Sequence, residues 1–140
     1  MGKVIFAIYF PDEYTAAFEY TKKSEIDLHK GEKHILGIDH AVLSGLLMER
    51  WNFPDTILMP VRYHHSVDQC PPNYLHSARI IAFSDCLSRA AEFGENWPVK
   101  TAAIMKERDQ LGITESDAER MAEDLKNDKE EIESFFEVMK

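Results

Sequence analysis

Residues 37–65 read GIDHAVLSGLLMERWNFPDTILMPVRYHH, and this stretch decides the fold. Asp39 is placed to cap a helix that runs from His40 to about Asn52. Its apolar side carries Leu43, Leu46, Leu47 and Trp51. Pro54 opens a second helix that runs to about His65. Each is about twelve residues and therefore roughly 18 Å long. A turn of one or two residues at Phe53-Pro54 joins them, and antiparallel packing is the expectation that decides the site. The start of the first helix then lies beside the end of the second, which brings His40 close to His64 and His65.

Outward from this hairpin the chain keeps reading as helix. Val4–Phe10 is the longest apolar run, seven residues, and no strand of similar quality follows to pair with it, so it reads as a buried helical turn or two. Pro11 starts a helix over about 12–22, with Asp12 and Glu13 at the positive end of its dipole. Ser24 is the N-cap expected for a helix that ends at Gly37. Beyond the hairpin, residues 66–73, with Pro71-Pro72, read as a loop. Helices are then expected over 74–93, closed by Gly94, and over 98–111, closed by Gly112. The last begins at Thr114, which with Asp117 resembles a capping box. It is expected to bury Ala118, Met121, Ala122, Leu125, Ile132, Phe135, Phe136 and Met139, which step by three and four, while the acidic residues from Glu115 to Glu133 face solvent. The sum is an all-α helical bundle, read as a single domain over residues 1–140.

Composition narrows the function. With 44% hydrophobic and 29% charged residues the chain is neither disordered nor a membrane protein. No apolar run is long enough to span a bilayer, and no signal-peptide cleavage pattern follows Val4–Phe10, so the cytoplasm is the expected location. A formal charge of −9, with Lys22-Lys23 the only adjacent basic pair, argues against nucleic acid as a partner. Two cysteines, Cys70 and Cys86, too few for a four-cysteine zinc site, fit a reducing compartment better than a disulfide framework. Phosphate-binding glycine loops and the G-x-S-x-G elbow are absent.

The chemistry that remains lies at the corner of the hairpin. Asp85 falls near the middle of the 74–93 helix among Ala82, Phe83, Cys86 and Leu87, where a carboxylate needs a partner. His40, His64, His65 and Asp85 are therefore the candidate polar cluster. Imidazole and carboxylate are ligands for zinc, iron or manganese, so a divalent transition metal is one reading. A hydrogen-bonded network tying three helices together is the other. Adjacent helical residues point about 100° apart, so His64 and His65 can face one ion only if the helix ends between them. Otherwise one of the two orients a ligand from behind. His29, His34 and His76 have no comparable partners in the sequence and read as surface or cap-region residues. Cys70 precedes two prolines near His64 and His65, where a Cys–His nucleophile is conceivable and an ordinary loop thiol is expected.

The segments Glu32-x4-Gly37-Ile38-Asp39-His40-Ala41, Gly45-x-Leu47-x-Glu49-Arg50-Trp51-x-x-Pro54, Ile57-x4-Arg62-Tyr63-His64-His65 and Ala78 to Asp85, in this order, resemble the second half of an HDOD domain. HDOD is the HD-related output domain of bacterial signalling proteins, a relative of the HD and HD-GYP phosphohydrolases. The resemblance covers about residues 1–95, with the tail matching the C-terminal helices more loosely. It implies an HD-like helical fold and a non-catalytic role in signal transduction, through contact with a protein partner. It also implies that His40, His64, His65 and Asp85 stand where the HD-GYP relatives hold metal. The alternative it carries is a metal-dependent phosphohydrolase or phosphodiesterase acting on a nucleotide or cyclic dinucleotide. The HD dyad and the first helices of the full domain have no counterpart here, and Ser66-Val67-Asp68-Gln69 stands in place of a Gly-Tyr-Pro motif. Without those helices the apolar side chains of Val4–Phe10 and of the 40–52 helix are expected to lie open. A homodimer, or docking on another protein, is then expected to cover them.

Overall fold

The computed structural model describes the backbone of residues 1–90 and 101–138 and the side chains of 1–90 and 105–129. Among the described residues there are eight α-helices, two 3-10 turns and no strand. The chain is all-α, as expected. It gathers into two compact units, Met1–Ala78 and Arg79–Lys140.

The first unit holds α1 (Gly2–Tyr9), α2 (Pro11–Ser24), α3 (Leu28–Leu36), α4 (His40–Arg50) and α5 (Asp55–Tyr63). Two short 3-10 turns follow, Val67–Gln69 and Pro72–Tyr74, in the stretch read as plain loop. Pro11 sits at the start of α2, with Asp12 and Glu13 in its first turn and Lys22 and Lys23 in its last, all complementing the helix dipole. Ser24 is not the cap of the next helix. It is the last residue of α2, Glu25 follows in the left-handed region at φ 51°, and the N-cap of α3 is Asp27. Gly37 ends α3 at φ 82°, a conformation that glycine adopts without strain.

Small residues let these helices approach closely. A Cβ on Gly31 in α3 would collide with the Thr21 hydroxyl and lie 2.8 Å from the Ala17 carbonyl, both on α2. A Cβ on Gly2 would collide with the His40 carbonyl, and one on Gly45 would lie 2.7 Å from the Arg62 side chain. Here the structure corrects the apolar face assigned to α4. The buried side is Ala41, Ser44, Gly45 and Met48, whereas Leu46 and Trp51 are exposed and Leu43 and Leu47 only partly covered. The inward face is set by what fits against α1 and α5, not by which side chains are largest.

The opening helix is also corrected. α1 is a helix, but only Gly2 and Phe6 are buried. Phe6 packs against Tyr14, ring centroids 5.8 Å apart. Val4, Ile8, Tyr9 and Phe10 stand in water.

In the second unit, Phe83, Leu87 and Ala118 form a buried cluster with Leu111, Ile113, Ala122 and Leu125 packed on it. α6 (Leu75–Ala90) begins before the division and continues into this unit. α7 (Thr101–Leu111) is followed by Gly112 at φ 69°, and α8 (Glu115–Val138) follows Thr114. The Thr114 hydroxyl accepts from the Asp117 amide at 3.1 Å and donates to the Asp117 carboxylate at 2.7 Å, so the cap is formed with Asp in the usual Glu place. Ala118 is buried as expected, but Met121 is exposed. Gly94 and the side chains of Ile132, Phe135, Phe136 and Met139 lie outside the described residues. None of the described helices is long and apolar enough to cross a membrane.

Candidate metal centre

The corner expected from the hairpin exists. α4 and α5 pack together with His40 against His65 and Gly45 against Arg62, a pairing that runs antiparallel. The connection is longer than expected: Trp51–Pro54, with Asn52 in the left-handed region at φ 56°.

His40 is fixed at every polar atom but one ring nitrogen. Asp39 caps α4 by accepting from the amides of Ala41 and Val42, each at 2.9 Å. The His40 amide donates to Glu32 Oε2 at 2.9 Å, and His40 Nδ1 lies 2.6 Å from the same oxygen. The His40 carbonyl accepts from the Ser44 hydroxyl at 2.7 Å, and that hydroxyl accepts from the Gly2 amide at 2.9 Å. α1 is thus tied by one serine to the backbone of the histidine. A carboxylate accepts only, so Nδ1 of His40 carries a proton and its Nε2 is left to meet something else.

What it meets is His65: the two Nε2 atoms are 3.0 Å apart. His64 turns its Nδ1 to the Val61 carbonyl at 2.7 Å, which places the proton on Nδ1 and the lone pair on Nε2. The objection from helix geometry is met because α5 ends at Tyr63 and His64 is its C-cap. The rings of His64 and His65 can therefore turn to the same side, with centroids 4.0 Å apart. Each of His40, His64 and His65 offers one donor atom, and the three atoms lie within 4.8 Å of one another.

Asp85, the fourth residue of the expected cluster, belongs to the second unit. There its carboxylate makes an ion pair with Arg89 at 3.0 Å, one helical turn on.

Two participants were not foreseen. Glu32 has 0% of its surface exposed, and its second oxygen, Oε1, has no hydrogen-bond partner. His29 is not a lone surface residue: its ring stacks on His65, centroids 4.2 Å apart and 14° from parallel. Burial holds the His29 imidazole below its ordinary pKa, against the opposing pull of Asp27 and Asp39. The signal was available: His29 and Glu32 are three residues apart and share a face of one helix, and Glu32 is eight residues before His40. His34 stacks on Tyr20 at 4.3 Å, and His76 is exposed. Cys70 is buried rather than open to substrate, and burial pushes its thiol pKa up, the wrong direction for a nucleophile.

Comparison with known proteins identifies a family over part of the chain. Residues 1–67 match the family model of the HDOD domain, a narrower span than residues 1–95. A protein of Treponema pallidum (strain Nichols), described as an uncharacterized protein, is 25% identical over 89 residues. The match takes in 64% of this chain but only 17% of that relative. No solved structure matches the chain significantly.

Proposed function

We propose, from the premise that residues 1–67 carry an HDOD domain, that this chain is a non-catalytic regulatory module of a signalling pathway. It works by binding protein, and the partner that its surface fits first is a second copy of itself. The observation behind this reading is α1. Val4 is 57% exposed, Ile8 63% and Tyr9 69%, and Met1 and Phe10 are also open to solvent. Met1, Val4 and Ile8 step by three and four, so they line one face of the helix. Full burial of one such side chain is worth roughly 1.5–3 kcal/mol, which makes a row of them a strong incentive to associate. Phe6, on the opposite side, already holds α1 to its own unit.

Light scattering at micromolar concentration tests the reading. A dimer is expected, and Ile8→Asp, with its charge in the middle of the apolar row, is expected to give a monomer of unchanged helicity. A parent chain that is monomeric at that concentration would sink the self-association.

The three histidines favour a second reading: a metal-dependent phosphohydrolase acting on a nucleotide or cyclic dinucleotide. Three histidine donors with a further position open to water are a known hydrolytic pattern for zinc. Turnover of cyclic dinucleotides by metal-loaded protein, lost in His40→Ala, would reverse the ranking.

A further inference from the structure

We propose that Ser44 couples the buried corner at His40 to the docking face of α1, so that loosening the corner lifts α1 and weakens self-association. The inference rests on the reading of α1 as a docking face and adds what regulates that face.

α1 cannot hold its shape alone. It has eight residues, below the roughly 12–15 at which an isolated helix becomes even marginally stable in water. Its N-cap, Met1, makes no side-chain capping bond. The first amides of a helix have no acceptor within it and need one from elsewhere. Only Gly2 and Phe6 are buried, one turn apart and therefore on one face. Met1, Val4 and Ile8 form a continuous row only while that inner face is seated.

The Gly2 half of the seat is made by the first turn of α4. The Gly2 amide donates to Ser44 Oγ at 2.9 Å, and the Ser44 hydroxyl donates to the His40 carbonyl at 2.7 Å. A serine bonded to the carbonyl four residues back is ordinary in a helix. Here the same oxygen also accepts from another helix, which makes Ser44 the cap that α1 lacks in its own sequence. The backbones touch as well. A Cβ on Gly2 would collide with the His40 carbonyl oxygen and lie 2.9 Å from the carbonyl carbon and from Cα.

From His40 the contacts run on to α3. The His40 amide and Nδ1 meet the same oxygen of Glu32, Oε2, at 2.9 and 2.6 Å. Gly2, Ser44, His40 and Glu32 are all buried, so bulk water does not replace a lost partner. A close-packed interior transmits a shift rather than absorbing it. When Glu32 lets go of His40, the first turn of α4 moves, and the Ser44 bond to Gly2 moves with it. The two states are α1 seated and α1 lifted, and the Gly2–Ser44 bond exists only in the first. Apparent affinity falls with the seated fraction. Linkage also runs backwards: covering the outer face of α1 tightens the hold on His40. A signal that enters at the corner therefore leaves through α1.

The experiment measures the dimer dissociation constant of the full chain by dilution with light scattering. In the same samples it measures hydrogen exchange of the Phe10 amide, which bonds to the Phe6 carbonyl at the end of α1. Ser44 and Glu32 are buried in α4 and α3, so neither touches a partner docked on α1. Ser44→Ala is expected to raise the dissociation constant about 10-fold and to speed Phe10 exchange by a similar factor. Glu32→Gln is expected to move both by about 3-fold, and to add nothing once Ser44 is replaced. A residue that only stabilises its unit would leave both readings where they are, because α1 opens without global unfolding. Should Ser44→Ala fail to fold, Gly2→Ala takes its place, since its methyl pushes α1 off the His40 carbonyl. Should Glu32→Gln fail, Glu32→Asp does. A parent chain that is monomeric throughout overturns the docking reading, and Phe10 exchange then decides the coupling alone. Unchanged Phe10 exchange in folded Ser44→Ala, or a Glu32→Gln effect that persists in full beside Ser44→Ala, overturns the coupling. In a dimeric parent, a dissociation constant unchanged by Ser44→Ala overturns it too.

Discussion

Two regions of the first unit invert the ordinary rule of burial, in opposite directions. Where α3, α4 and α5 meet, the groups removed from water are polar: Glu32, Asp39 and His40. On the outer face of α1 the groups left in water are apolar: Val4, Ile8, Tyr9 and Phe10. Ordinary surface leucines need no explanation, but a row of exposed apolar residues and a wholly buried acid both do. The corner is satisfied mostly from within, by hydrogen bonds that leave one carboxylate oxygen over. The helix face is not satisfied from within at all. What separates the regions is where the unsatisfied surface lies: one carboxylate oxygen deep inside at the first, a row of apolar side chains in water at the second.

The sharpest way to break this contrast is to remove Glu32. In metal-free protein, Glu32→Ala leaves the His40 amide and Nδ1 without their acceptor in a buried place. A loss of about 4 kcal/mol of unfolding free energy is expected, roughly 2 kcal/mol for each of the two buried donors left without an acceptor. Urea denaturation measures it, and a loss under about 1 kcal/mol would mean that the corner is wetter than it looks. The matching test on α1 compares its two sides. Phe6→Ala empties a buried position against Tyr14 and should cost about 3 kcal/mol. Ile8→Asp, read at a concentration low enough that self-association is lost, should stay within about 0.5 kcal/mol of the parent. Equal losses would show that Ile8 is covered within its own unit and that the exposed row is no docking face.

The hairpin corner was legible because two short helices of similar length, packed antiparallel, bring His40 beside His64 and His65 even though the connection, Trp51–Pro54, is longer than the expected turn. Asp39 as a cap, Pro11 at a helix start and Gly37 at a helix end follow from backbone chemistry alone, and all three hold. The buried face of α4 was not legible. Pattern reading ranks residues by apolarity, yet Ala41, Ser44 and Gly45 are inside because they are small enough for close neighbours. Glu32 was missed for a related reason. A charged residue in a helix reads as solvent-facing, and only the fold shows that the His40 amide and ring are both aimed at it. His29 was hidden too, since its partner is 36 residues away, on the far side of the hairpin.

The close approach of α2 and α3 gives a smaller effect. Gly31→Ala puts a methyl group against the Thr21 hydroxyl and 2.8 Å from the Ala17 carbonyl. Thr21 is itself fully buried, its hydroxyl donating to the same carbonyl at 2.6 Å. Overpacking of this kind costs about 2 kcal/mol. Because Glu32 is the next residue along α3, the shift should also loosen the histidine corner. Thr21→Ala in the same chain removes the hydroxyl but not the Ala17 carbonyl, so it should restore part of the loss and not all of it. Thermal melts of the two variants beside the parent decide this: a double variant no better than Gly31→Ala would place the strain on the backbone rather than on Thr21.

The smallest effect is read in rate rather than stability, and it bears on whether the corner holds a nucleophile as well as imidazoles. Cys70 follows the first 3-10 turn, five residues beyond His65, and is buried, with its thiol pKa raised by that burial. A thiol must ionise to react, so burial slows it twice: fewer thiolates form, and those that form are hard to reach. Native protein at pH 8 should therefore label at Cys70 at least about 10-fold more slowly with a disulfide reagent than protein unfolded in urea. Cys86, also buried, should be equally slow and serves as the internal control. A fast native thiol that disappears in Cys70→Ser would mean that a neighbouring imidazole draws the proton away, and the corner would then be a Cys–His centre rather than a closed hydrogen-bonded network.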